Sequence, residues 1–192
     1  MEIYLIRHTE VAVGRRVAYG QTDVALADNF AEQRDRLRAL LPAQPSLLFS
    51  SPLSRCRQLA DALAADTNLV VETDRRLLEL HFGDWENQPW AAIPPTELDP
   101  WMADFTNLRP PNGENFQDLA DRVGAFWHDL ARMEQSAEGP VFIVTHAGVI
   151  RAWLCLFLGL PLSNAFRIHL DYGSLTKVAL TGSAFSVQFI NR

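Results

Sequence analysis

The chain has 192 residues and a formal net charge of −6, which suits one domain and argues against nonspecific nucleic-acid binding through a basic face. Its apolar fraction of 48% and charged fraction of 21% are those of an ordinary globular protein. No run approaches the roughly 20 apolar residues that span a bilayer, and residues 1–6 are too short before charge begins to serve as a secretory signal. Cys56 and Cys155 have no paired spacing and read as free thiols in a reducing compartment, so the cytoplasm is the expected location. Of the 17 basic residues only Lys177 is lysine. Any anion site is therefore expected to be built from arginine, whose planar fork suits carboxylates and phosphates.

In chain order, "EIYLI" at 2–6 is a short apolar run with β-branched and aromatic members, and reads as a buried strand. A long loop follows through "GRRVAYGQTDVAL". Residues 28–41 alternate in charge, with leucines at 37, 40 and 41, and predict an amphipathic helix ended by Pro42. "SLLFS" at 46–50 is a second strand. "SPLSRCRQLADALAAD" then predicts a helix with Ser51 as its N-cap and Pro52 at its first position, its apolar residues recurring at helical spacing. "LVVE" at 69–72 reads as a third strand. From Leu80 to Asn115 the chain is rich in Trp and Pro, with short helical turns but no sustained period, and a segment of this kind is usually a functional cover. Helix is expected again over 115–135, strand at "VFIVT" (141–145), helix at 147–158, and closing strands at 174–181 and 185–190.

Strands alternating with helices predict a three-layer α/β/α sandwich with a mostly parallel central sheet. Ligands bind such folds outside the carboxyl ends of the strands. Two strands here end in histidine pairs: Arg7-His8 after the first, and Thr145-His146 after "VFIVT". The second strand leads into the helix whose first turn holds Arg55, and whose free N–H groups could meet an anion. The third leads into "RRLLELHFGDWE", which carries Glu79. Any one of these residues alone would be an ordinary structural histidine, surface arginine or solvated carboxylate. Together on one edge they form a chemically specific set. Arginines hold a phosphoryl group bidentately, a neutral imidazole can attack phosphorus, and a carboxyl group can protonate the departing oxygen.

"LIRHTE", "SSPLSRCRQLA", "LLELHFGDWE" and "VTHAGVIR" resemble, in order, the four signatures of the histidine phosphatase superfamily, with its phosphoglycerate-mutase-like fold. The resemblance implies that His8 is the nucleophile, forming a phosphohistidine. It implies that Arg7, Arg55 and His146 bind the phosphoryl group, that the N–H of Ala147 lies near it, and that Glu79 is the proton donor. Thr9 stands where the family usually has glycine, and Gly14 where many members have asparagine; Gln21 or Thr22 could supply a substitute donor. "VAYGQTDVALA", "FGDWEN" and "PPNGENFQDLADRV" further resemble the α-ribazole phosphatase branch, which acts late in building the nucleotide loop of cobalamin.

The expectation is a single histidine phosphatase domain over 1–192, with a cover at about 80–115, hydrolysing a small phosphomonoester such as α-ribazole 5′-phosphate. A phosphatase or mutase for another small ester (sugar phosphate, phosphoglycerate, phosphoserine) is the alternative, and a silent phospho-ligand binding module a more distant one. No cofactor, metal, nucleic acid or membrane is expected as partner; His81, His128 and His169 lack ligand spacing, and there is no glycine-rich loop with lysine. A homodimer stays open. The tryptophans of the cover either line the site or pack the cover onto the body, and Glu114 either reaches the pocket or favours the dipole of its helix.

Overall fold

The computed structural model describes residues 1–65, 67–133, 139–182 and 184–192. Its strands are β1 (Glu2–Arg7), β2 (Val17–Ala18), β3 (Leu47–Ser50), β4 (Glu72–Thr73), β5 (Gln88–Pro89), β6 (Val141–Thr145), β7 (Leu175–Thr181) and β8 (Ala184–Phe189). Its α-helices are α1 (Phe30–Leu40), α2 (Ser54–Ala64), α3 (Pro95–Ala103), α4 (Phe116–Arg132) and α5 (Ala147–Leu158). The main sheet has the order β4-β3-β6-β1-β7-β8; β4, β3, β6 and β1 pair in parallel, and β7 and β8 are antiparallel additions. β2 and β5 form a separate two-stranded ribbon.

Three layers follow from the period of two along each strand. Ile3, Leu5, Val141 and Ile143 point to one face and join a core with Phe116, Leu119 and Val123 of α4 and Val149 and Trp153 of α5. Tyr4, Ile6, Phe142 and Val144 point the other way and pack on Leu37 of α1 and on Cys56, Leu59 and Leu63 of α2. The mostly parallel sheet flanked by helices is the architecture expected.

Topology places the site. β1 and β6 are neighbours, but the chain leaves β1 towards α1 on one face and leaves β6 into α5 on the other. Adjacent strands whose connections diverge in this way open a crevice at their carboxyl ends. Register brings Arg7 opposite Thr145, and Ser50 opposite Val144, so three strands finish level at that crevice.

The structure corrects several local expectations. α2 begins at Ser54, with Leu53 in the cap position and no side-chain cap. Ser51 is instead within hydrogen-bond distance of His146 (2.8 Å), and Asp23 accepts from the Ser54 N–H at 2.9 Å and its hydroxyl at 2.7 Å. Asp23 thus caps the first N–H of that helix from outside. Only Glu72 and Thr73 of the third predicted strand region pair with β3, and Val70 is 80% exposed, as befits a sheet edge. The cover contains a true α-helix, α3, started by Pro94-Pro95, where the fixed φ of proline suits the first turn. Positions 134 and 135 of the expected fourth helix lie outside the described residues. Among the described residues no helix is long and apolar enough to cross a membrane.

α4 carries the strongest local signal. Phe116, Leu119, Ala120, Val123, Phe126 and Leu130 form its buried stripe, and Asn115 and Asp118 make a reciprocal capping box. Asn115→Ala should therefore lower stability by about 1 kcal/mol in urea denaturation, without changing the fold.

Candidate active site

At the crevice, Arg7 and Arg55 are both buried, 8% and 0% exposed. Neither meets a carboxylate among the described residues. Arg7 donates to the Leu170 carbonyl at 2.7 Å and lies 3.9 Å from the Tyr172 ring centre. Arg55, in the first turn of α2, donates to the carbonyls of Thr22 (2.8 Å) and Gly20 (2.6 Å), with the Tyr19 ring 4.9 Å away. The two tyrosine hydroxyls meet at 2.9 Å, so one linked pair of rings backs both cations. Each guanidinium has five N–H donors, and these contacts leave several uncommitted.

His8 feels the charge of both. Its Nδ1 is 2.7 Å from the Thr9 carbonyl, which can only accept, so Nδ1 carries the proton and Nε2 keeps its lone pair. Burial, then Arg55 and Arg7, hold its pKa well below 6.5. The imidazole is neutral. His146, the cap residue of α5, has its ring centre 5.1 Å from that of His8 and is likewise held low, by burial first and then by Arg55 and His8.

Glu79 approaches from the segment after β4. Its Oε1 accepts from the Leu80 N–H at 3.0 Å and its Oε2 from the Gly148 N–H at 3.2 Å. A Cβ on Gly148 would overlap Oε1, so only glycine in the first turn of α5 lets the carboxylate come this close. Arg122 of α4 holds the same segment from behind, donating to the carbonyls of Arg76, Leu78 and Glu79 and to Glu114. The Thr145 hydroxyl donates to the Leu77 carbonyl at 2.8 Å.

A cavity of about 240 Å³ opens over this assembly. Of the residues expected from sequence, Arg7, Glu79 and Ala147 line it, while His8, Arg55 and His146 are buried and do not. Ala147 opens α5, where its N–H has no acceptor within the helix. Gln21 and Thr22 do not line it. The Gln21 amide donates to the Glu79 carbonyl at 3.0 Å and the Thr22 hydroxyl donates to Glu86, so both brace the site instead of facing it. Glu114 serves Arg122 and the His81 N–H, and neither lines the cavity nor opens a helix. Thr9 is fully buried and supplies the carbonyl that sets the His8 tautomer. Among the described residues no three His, Cys, Asp or Glu side chains gather in a metal-binding arrangement.

The family model of the Histidine phosphatase superfamily (branch 1) matches residues 3–192. The chain belongs to the histidine phosphatase superfamily. This histidine phosphatase is 34% identical to the glucosyl-3-phosphoglycerate phosphatase of Mycolicibacterium vanbaalenii, over 84% of this chain and 76% of that one. It is 26% identical to the adenosylcobalamin/alpha-ribazole phosphatase of Escherichia coli, over 100% and 96%. The crystal structure of the alpha-ribazole phosphatase from Shigella flexneri superposes with a TM-score of 0.89 at 26% identity, covering 100% of this chain and 96% of that one.

Several site residues of this histidine phosphatase escaped the sequence reading. Arg151 lines the cavity, donating through Nε to the Ile168 carbonyl at 2.9 Å beside the Phe166 ring. Its signal was present: it falls four residues after Ala147 on the same helix, hence on the same face. Tyr172 and Arg122 carried no comparable signal, because their partners are distant in sequence.

The depressed histidine pKa values have a consequence for stability. The folded chain keeps His8 and His146 neutral, whereas the unfolded chain protonates both near 6.5. The unfolded state therefore binds more protons as pH falls below about 6.5, so this stability is fully present above that value and is lost below it. The urea midpoint should drop between pH 7.5 and 5.5, and a His8→Gln, His146→Gln variant should show a shallower drop. Equal slopes would remove these histidines as the cause.

Proposed function

We propose that this histidine phosphatase hydrolyses phosphomonoesters through a phosphohistidine at His8, and that its substrate is α-ribazole 5′-phosphate, released as α-ribazole in assembly of the cobalamin nucleotide loop. The observation that carries the chemistry is the neutral His8, its Nε2 lone pair free, set beside two buried guanidiniums with no carboxylate partner among the described residues. In the first step Nε2 attacks phosphorus and the bond from phosphorus to the ester oxygen breaks. Arg7, Arg55, His146 and the Ala147 N–H neutralise the charge on the non-bridging oxygens, and Glu79 gives its proton to the leaving oxygen. In the second step water attacks phosphorus, Glu79 takes a proton from that water, the bond from phosphorus to Nε2 breaks, and inorganic phosphate leaves with His8 neutral again. The mechanism asks for no metal.

The aromatic lining of the cavity (Tyr19, Phe82, Trp90, Phe116, Phe166 and Tyr172) supports a substrate with a flat base. The resemblance to alpha-ribazole phosphatases, in sequence and along the whole fold, supports the same choice. One feature favours a second reading. Arg15 and Arg151 add two cations to the lining, which would suit a substrate carrying a carboxylate, such as a phosphoglycerate ester. A panel of α-ribazole 5′-phosphate, glucosyl-3-phosphoglycerate, 3-phosphoglycerate and phosphoserine separates the two. On the first reading α-ribazole 5′-phosphate gives the highest kcat/KM, by about tenfold or more.

His8→Ala should abolish turnover of every ester and the acid-labile ³²P adduct together; an adduct without turnover, or neither in the native chain, points to a binding module. Glu79→Gln should slow poor leaving groups far more than 4-nitrophenolate, while equal loss across a leaving-group series contradicts its role as acid. Gly148→Ala should displace the Glu79 carboxylate and cost up to about 100-fold in kcat while the melting temperature changes little, since the overlapped atom ends a side chain.

A further inference from the structure

Ser51 and His146 are both fully buried, and the Ser51 Oγ lies 2.8 Å from Nε2 of the His146 ring. A hydroxyl can give or take a hydrogen, and so can a neutral imidazole, so the distance alone does not say which of them donates. The direction decides which nitrogen of His146 carries its proton. The backbone holds both residues in place. The Ser51 N–H donates to the Val144 carbonyl at 2.9 Å, the Ser51 carbonyl accepts from the Ser50 hydroxyl at 2.8 Å, and the His146 carbonyl accepts from the Ile150 N–H at 3.1 Å.

Counting hydrogens separates the two directions. The other hydrogen-bonding partner of the ring among the described residues is the Cys56 Sγ, 3.4 Å from Nε2 and 3.7 Å from Nδ1. Its thiol hydrogen goes to the Thr145 carbonyl at 3.5 Å, and sulfur is a weak acceptor. If Nε2 held the proton and gave it to Ser51, the serine hydrogen would be left with that sulfur, and the Nδ1 lone pair would have no donor. Two buried polar positions would then stay unmet, which is costly. If Ser51 donates to Nε2, one position stays unmet, the Nδ1 N–H. That N–H belongs to a ring lying in the field of Arg55 and Arg7, with its centre 5.1 Å from that of His8, where a bound anion would satisfy it.

We propose that Ser51 is a positioning residue: its hydroxyl donates to Nε2 of His146, fixes the Nδ1–H tautomer, and so makes an uncharged histidine a hydrogen-bond donor to the phosphoryl oxygens. The role rests on the reading of His146 as a phosphoryl ligand and adds how a neutral ring serves as one. His8 and His146 are both neutral imidazoles, yet the first offers a lone pair and the second an N–H. The difference lies in what each ring meets, the Thr9 carbonyl at Nδ1 of His8 and the Ser51 hydroxyl at Nε2 of His146. The same hydroxyl occupies the His146 lone pair, which leaves Nε2 of His8 as the free nucleophilic nitrogen of the two.

The test reads the tautomer directly, by proton–nitrogen correlation spectra of the whole chain isotopically labelled at histidine nitrogen, with His146 assigned through its loss in His146→Gln. In the native chain at neutral pH, Nδ1 of His146 should carry hydrogen and Nε2 none, and inorganic phosphate should shift the Nδ1 resonance. Ser51→Ala should move the proton to Nε2 or divide it between the two nitrogens, and should lower kcat/KM for 4-nitrophenyl phosphate by roughly tenfold to 100-fold. Cys56→Ala should leave the tautomer as it is. A native Nε2–H form, an Nδ1 resonance indifferent to phosphate, or a tautomer that follows Cys56 rather than Ser51 overturns the proposal. So does a shifted tautomer in Ser51→Ala with kcat/KM intact, or a loss of kcat/KM with the tautomer unchanged. The native spectrum decides the matter even if Ser51→Ala does not fold. Should the native chain turn over no ester, the hydrolase reading fails separately, because the tautomer and its response to phosphate need no turnover.

Discussion

Two buried guanidinium groups without carboxylate partners among the described residues are the constraint around which the molecule is arranged. Removing a cation from water is costly unless hydrogen bonds and opposite charge replace its hydration. Arg7 and Arg55 receive only part of that replacement, from three backbone carbonyls and two tyrosine rings. The unmet remainder is an affinity for a dianion. The same uncompensated charge, added to burial, keeps both histidines unprotonated, so one arrangement both favours an anion and leaves the imidazole beside it neutral. A nearby carboxylate paired with either arginine would cancel both effects.

Much of the surrounding structure keeps Glu79 near this charge without letting it pair there. The carboxylate is held by two backbone N–H groups, from Leu80 and Gly148, and its segment is tied down by Arg122 and the Thr145 hydroxyl. Gln21 completes the bracing by joining the loop after β2 to the Glu79 carbonyl. Loop residues that could have faced a ligand instead hold the segment rigid, which suits the acid role proposed for Glu79.

The cover serves in two capacities at once. Trp85 and Trp101 pack it onto the body, while Trp90, Phe82 and Phe166 give the cleft its apolar wall. Both alternatives weighed from sequence are therefore realised, by different residues. A run with no helical period could not say which tryptophan did which, because that depends on how α3 lies against α4 and on the position of Phe166, about 60 residues further on.

The sequence by itself determined the layered α/β architecture, since apolar strand runs alternating with amphipathic helices have few other ways to bury their faces. It also determined that Arg7-His8 and Thr145-His146 would meet, because parallel strands finish on one edge. What only the tertiary structure decided were roles set by partners far apart in the chain. Ser51 reads as a helix cap until His146, 95 residues away, stands beside its hydroxyl. Gln21 and Thr22 read as phosphate donors until Glu79, Glu114 and Glu86 claim them. Tyr172 and Arg122 carry no local pattern at all. Backbone periodicity is written in near neighbours and can be read from them, whereas a side chain's hydrogen-bond partner is chosen by whatever the fold brings within about 3 Å.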